Sequence, residues 1–257
     1  MLKKIDNNVI IISLLMLLAF IVLFICRALD DNRLTSWESA FLYADPAKIF
    51  LILILSIFTA YFLSALQFAD KHPALFLFAF SFAISSLFWR EPEIILDASR
   101  YFTQAKHLEV YGAGYFLREW GKAIPAWTDM PLMPFLYGLI FKFFGEARIY
   151  VQVFTSILFS LTAALTYLIG STIRNRDTGL IGGILFLGIP YILVNVSLMM
   201  VDAPVMFFVA LSVFLFIKAL EHGKLFTVAS ACSIAFTLLT KYSVWPMLSV
   251  LVVILVV

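Results

Sequence analysis

Charge is scarce in this chain. Asp, Glu, Lys and Arg make up 13% of its 257 residues, against about 25% in a soluble domain. Hydrophobic residues reach 63% and the mean hydropathy is +1.02, which excludes an ordinary water-soluble globule. The few charges nearly cancel: a net +2 is too small to imply nucleic acid as a partner. Cysteine is rare too. Cys26 and Cys232 both fall inside apolar runs, where a thiol reads as a small buried hydrophobe and says little about redox compartment. His72, His107 and His222 each stand alone, without metal-ligand spacing. No resident metal or cofactor is expected. Internal repeats and low-complexity segments are lacking as well.

What fills the chain is a series of apolar runs, rich in the 27 phenylalanines that suit lipid-facing and interhelical surfaces. Lys3 and Lys4 precede the run 9–29, which is long enough to cross a core of about 30 Å. No small-residue cleavage site follows it, so it reads as an uncleaved first span. A polar connection, 30–46, carries Trp37 and Tyr43, interfacial by type, and leads to a second span at 47–69. The turn 70–72 precedes a short third span, 73–89, opened by Pro73 where a helix start tolerates it. After a long polar loop, 90–148, come spans at 149–171, 180–198 with a kink at Pro190, 203–220 and 225–240. An eighth begins at 244 and is cut by the end of the sequence without a polar anchor, as expected if a C-terminal part is missing. The expected organisation is two N-terminal transmembrane helices in 1–72 and a helical membrane module in 73–257.

The short turns orient this bundle. Lys3, Lys4, Lys71, Arg174, Arg176 and Lys224 fall on one side, and Arg33, Lys48 and Lys241 on the other. The positive-inside rule then puts the N-terminus in the cytoplasm and the long loop outside. The loop's own Arg90, Arg100, Lys106, Arg118, Lys122, Lys142 and Arg148 run against the raw count, but long loops are read less strictly. The reading is an all-α, multi-pass protein of the plasma membrane with an extracytoplasmic loop.

That loop holds most of the ionisable groups. Residues 93–109 read as an amphipathic helix, with Ile94, Ala98, Phe102, Ala105 and Leu108 on one face. Asp97, Arg100, Tyr101 and Gln104 recur at helical steps on another, so a carboxylate, a guanidinium and a phenol project together. Gly112, Gly114, Gly121 and Pro125 make 111–127 irregular. Its Tyr115, Trp120 and Trp127 suit interfacial anchoring or sugar stacking. Residues 135–144 are too few to span and read as a helix along the outer surface, closed by Gly145. Beyond the loop, Asp202 followed by Pro204 fits an N-cap. It shares the outer side with Asp97 and Lys241, and ionisable groups gathered at a membrane protein's face mark a functional site.

The stretches Asp97-Ala98-Ser99-Arg100-Tyr101, Asp129-Met130-Pro131-Leu132, Phe144-Gly145, Met200-Val201-Asp202-Ala203-Pro204 and Thr240-Lys241-Tyr242 occur in a familiar order. Across about 73–257 the chain resembles the C-type (GT-C) integral-membrane glycosyltransferases, specifically the protein O-mannosyltransferase and lipid A aminoarabinose transferase group. The resemblance implies a GT-C-like transmembrane helical bundle whose extracytoplasmic loop contains amphipathic juxtamembrane helices. It implies transfer of a sugar from a polyprenyl-phosphate donor in the membrane to a protein or lipid acceptor. It makes Asp97 the carboxylate acting at the acceptor, Asp202 a second site acid and Lys241 a substrate-binding group at the donor phosphate; Arg100 and Tyr101, beside Asp97 by helical spacing, are the other candidate substrate-binding groups. The chain departs from that pattern in having Ala98 where many relatives have a second acid, and Asp129-Met130 where many have His-Pro. Three other readings stay open: a transporter subunit, which would place charges near mid-span; a non-catalytic membrane scaffold; and a transferase in which Asp97 and Asp202 hold a divalent cation.

Overall fold

The computed structural model describes residue 54 and residues 71–89, 96–246 and 248. The expected spans at 9–29 and 47–69, the connection 30–46, the loop start 90–95 and most of the eighth span lie outside the described residues. By backbone contacts the chain divides into Met1–Leu66 and Gln67–Val257, and the described helices belong to the second unit.

Among its described residues the unit is helical: α1 (Pro73–Ser86), α2 (Leu96–Tyr111), α3 (Ala113–Glu119), α4 (Leu132–Phe144), α5 (Arg148–Ile173), α6 (Arg176–Leu187), α7 (Pro190–Val196), α8 (Asp202–His222) and α9 (Lys224–Leu238), then a 3-10 turn, Tyr242–Val244. The helices α5 and α8 are long and apolar enough to cross a membrane, while α1, α4 and α9 are apolar but shorter. The run 180–198 is not one kinked helix. Its chain stops being helical at Gly188 and Ile189 and restarts at Pro190, because proline cannot donate the backbone bond a continuing helix needs but fits a first turn. The stretch 111–127 is less irregular than its glycines imply. Gly112 at φ +84° and Gly121 at φ +77° bracket α3 instead of dissolving it.

Around α5 pack α1, α6 and α8, and α9 packs on α8. Beside buried Leu77, Phe159 and Phe216, many of the side chains turned inward are polar: Ser81 and Ser85 on α1, Gln152, Thr155, Ser156, Ser160 and Thr162 on α5, Ser212 on α8, and Ser230, Ser233 and Thr237 on α9. Large apolar groups such as Ile157, Ile173, Leu225, Val228 and Phe236 face outward. So many inward hydroxyls under an apolar exterior are what a lipid surround allows, since tails are as apolar as leucine and small residues let backbones approach. Between α8 and α9, Ser212 Oγ lies 2.9 Å from Ser233 Oγ and 2.8 Å from Thr237 Oγ1, and Thr237 donates to the Phe208 carbonyl at 3.0 Å. Cys232, expected as a buried hydrophobe, is exposed instead, because the polar stripe of α9 has taken the inner face. Between α5 and α6, a Cβ on Gly170 would stand 2.8 Å from the Cα of Gly179.

The loop leaves and returns at one place. Trp89, just before the loop, donates from Nε1 to Ser156 Oγ at 2.9 Å, and its carbonyl accepts from Gln152 Nε2. Both partners lie near the start of α5, which is where the loop ends. Within the loop α2 lies on α4. Their approach needs Gly138, since a Cβ there would meet Leu108 Cβ at 2.7 Å and the Ala105 carbonyl at 2.8 Å. Ala98, Tyr101, Ala105, Met133, Tyr137 and Phe141 form one buried cluster with Val151 of α5 and with Met199 and Val201 before α8.

Candidate active site

That shared cluster positions the acids. Asp97 lies in the first turn of α2 beside buried Ala98, and Asp202 opens α8 beside buried Val201. One apolar core therefore underlies both. The hydroxyl of Tyr137 donates to the Met200 carbonyl at 2.6 Å, tying α4 to the turn just before Asp202. The backbone N–H of Leu132 donates to the Leu239 carbonyl at 3.1 Å, tying the start of α4 to the segment just before Lys241.

Two charged groups result. In the first, Arg100 Nη2 lies 3.2 Å from Asp97 Oδ1 and donates to Asp129 Oδ1 at 2.9 Å. Arg100 Nε also lies 2.7 Å from Asp129 Oδ2, off the axis of a hydrogen bond. Gln104 Nε2 adds a bond to Asp129 Oδ2 at 3.1 Å and one to the Pro125 carbonyl at 3.0 Å. The guanidinium packs by the rings of Tyr101 and Trp127, 5.4 and 5.7 Å from their centroids. Burial opposes the charge on Arg100, but the Tyr101 hydroxyl, Asp129 and Asp97 outweigh it and raise its pKa. Burial, then the charge of Asp129, pushes the Tyr101 phenol up to about 12.

The two carboxylates of this group are not equivalent. The Asp129 side chain is 6% exposed and held by Arg100 and Gln104, whereas that of Asp97 is 45% exposed. A proton acceptor for an outside molecule must be reachable, so Asp97 fits that task and Asp129 fits the task of fixing Arg100. Tyr101 and Gln104, expected beside them on a polar face, are both buried. The inner face of α2 is set by where Gly138 lets α4 approach, and that places Ala98, Tyr101, Gln104, Ala105 and Leu108 inside and leaves Phe102 partly exposed.

In the second group, Lys241 Nζ stands 3.4 Å from Asp202 Oδ1, with side chains 38% and 36% exposed. The expected N-cap role of Asp202 is not what it does. Val201 is the cap, Asp202 is the first helical residue, and no side-chain capping bond forms. The carboxylate is drawn to Lys241, and its charge still suits a helix N-terminus. The site residues thus come together as two pairs, Asp97 with Arg100 and Asp202 with Lys241, each at an edge of the common core.

Asp129 is the residue that pairwise spacing along α2 missed. Its partner Arg100 lies 29 positions earlier in sequence, beyond the reach of any helical period. The acid standing at the head of the Asp-Met-Pro-Leu stretch was the available signal.

Residues 128–257 match the family model for dolichyl-phosphate-mannose-protein mannosyltransferases. The matched stretch includes Asp129, Asp202 and Lys241 and stops short of Asp97. No curated protein and no solved structure matches the chain.

Proposed function

Because the chain belongs to the dolichyl-phosphate-mannose-protein mannosyltransferase family, we propose that it moves a sugar from a polyprenyl-phosphate carrier to a protein or lipid acceptor on the extracytoplasmic side, with Asp97 as the base. The acceptor oxygen bonds to the anomeric carbon as the bond from that carbon to the phosphate oxygen breaks. The electron pair leaves with the phosphate, the acceptor proton goes to Asp97, and direct displacement inverts the anomeric centre. General-base help of this kind is worth about 10²–10⁴-fold. A phosphate is stable as an anion and needs less acid assistance than the alcohol of a glycoside hydrolysis. A cation beside it does more, and Lys241 supplies one. Asp202 engages one of the three ammonium protons and leaves the others for phosphate oxygens. Arg100, partly exposed, offers its free edge to substrate, while Tyr101 beneath it holds the guanidinium in place.

The observation carrying this reading is the contrast between open Asp97 and enclosed Asp129 around one arginine. In a transfer assay with a polyprenyl-phosphate sugar, Asp97→Asn loses at least about 100-fold in rate with donor binding retained. A wild-type rate removes Asp97 from the mechanism. Lys241→Ala weakens donor binding more than it lowers thermal stability, and an unchanged donor affinity counts against its place at the phosphate. Addition of chelator leaves the rate unchanged, whereas the cation-dependent alternative requires its loss.

A further inference from the structure

Among the described residues one side-chain-bearing residue takes a positive φ, Trp127 at +46°. Bulky residues avoid this left-handed region because Cβ crowds the following carbonyl. The segment is pinned on both sides. Asp129 N–H donates to the Ala126 carbonyl at 2.7 Å, closing a turn around Trp127, and Gln104 holds the Pro125 carbonyl. Burial does not compensate for the strain, since Trp127 is 63% exposed. What the turn achieves is position. The indole is held 5.7 Å from the guanidinium carbon of Arg100, which itself lies 3.2 Å from Asp97. Strain retained at a ligand-facing residue points to function when the packing gives no other return.

We propose that Trp127 is a sugar platform: its open aromatic face stacks on the C–H face of the hexopyranose being transferred, beside Asp97. The face of a pyranose that presents C–H bonds is apolar and weakly positive, and it complements the negative face of an indole. Arg100 at the flank leaves N–H groups for the ring hydroxyls. Asp129 links the two, closing the Trp127 turn through its backbone and anchoring Arg100 through its carboxylate. This assignment rests on the glycosyltransferase reading of the loop. Membrane anchoring, the other common use of an exposed tryptophan, requires neither a strained turn nor a guanidinium against the ring.

The test is binding, read without transfer. The full chain in nanodiscs is titrated with a short-chain polyprenyl phosphate mannose and with the same polyprenyl phosphate lacking sugar. Wild type prefers the sugar-bearing probe. Trp127→Ala loses about tenfold on that probe and nothing on the bare carrier, and Trp127→Phe loses less. Trp127→Gly relieves the φ strain and melts no lower than wild type, yet shows the same loss as Trp127→Ala, which separates binding from folding. Equal losses on both probes indicate anchoring and overturn the proposal, as does no loss at all or a wild type without preference. Because the readout is independent of chemistry, a transfer-competent Asp97→Asn would remove the base and leave the platform, and the converse result is equally distinct.

Discussion

Where α8 meets α9, the hydroxyls of Ser212, Ser233 and Thr237 bond to one another beside a small apolar cluster of Phe216, Val213, Ile234 and Leu238, and the side chains turned outward include Leu225, Val228 and Phe236. Where α2 meets α4, the inward residues are Ala105, Leu108, Met133, Tyr137 and Phe141, and the charges of Lys106 and Glu146 pair at the surface. The first contact adds hydroxyl bonds between the helices to a small apolar cluster. The second is closed mainly by large apolar side chains. A contact bridged by hydroxyls and one closed mainly by large apolar groups thus adjoin in one unit, and the charged pairs border the second.

The difference can be broken deliberately. The largest effect is expected at Arg100→Gln, which leaves the enclosed Asp129 carboxylate unpaired. Loss of a partner from a buried charge costs about 3–5 kcal/mol, read as loss of hydrogen-exchange protection in α2 and α4 with little change in α8 and α9. The double variant Arg100→Gln, Asp129→Asn recovers much of that protection, and failure to recover it assigns the loss to something other than the charge. Next is Gly138→Val, which drives a side chain into Leu108 and the Ala105 carbonyl. Overpacking of this kind costs about 1–3 kcal/mol, again confined to the loop. A milder effect belongs to Thr237→Val, which removes the bonds to Ser212 and the Phe208 carbonyl. Interhelical hydrogen bonds in membranes average about 0.6 kcal/mol, so the melting temperature falls slightly and transfer persists. A large collapse there would show that α8 and α9 depend on polar contacts far more than lipid packing requires.

The smallest effect is electrostatic. The hydrogen bond from Lys106 lowers the Glu146 pKa below its ordinary 4.5. A lowered carboxyl stabilises the fold above the unfolded value and loses that contribution as pH falls through the folded one. Acid titration of wild type and Glu146→Gln should therefore differ in loop protection above about pH 4.5 and converge below it. Since the group is exposed, the difference is slight, and transfer near neutral pH is the same in both.

Much of this was legible from the chain alone. The apolar runs gave α1, α5, α8 and α9 nearly to their ends, because length and hydropathy decide a helix in such a sequence. The pairing of Asp97 with Arg100 follows from helical spacing. What escaped has a common cause in contacts between segments distant in sequence. Tyr101 and Gln104 lie inside because Gly138 fixes which side of α2 faces α4. Asp129 gains its role only when the chain folds back on Arg100. The strain at Trp127 belongs to a turn whose neighbours, Gln104 and Asp129, come from either side of it. The inward hydroxyls of α9 were hidden by its overall apolarity, since a helix that is hydrophobic in sum reveals little about which stripe packs.

The most direct measurement compares single-turnover sugar transfer by Asp97→Asn and Asp129→Asn in otherwise identical preparations, with melting temperature recorded for each. The open carboxylate should lose its rate by at least about 100-fold at unchanged stability, while the enclosed one should lose stability and, with Arg100 loosened, lose less rate than the open one within the fraction that stays folded. A stable, fully active Asp97→Asn beside a folded but inactive Asp129→Asn would contradict the account and move the base to the wrong side of Arg100.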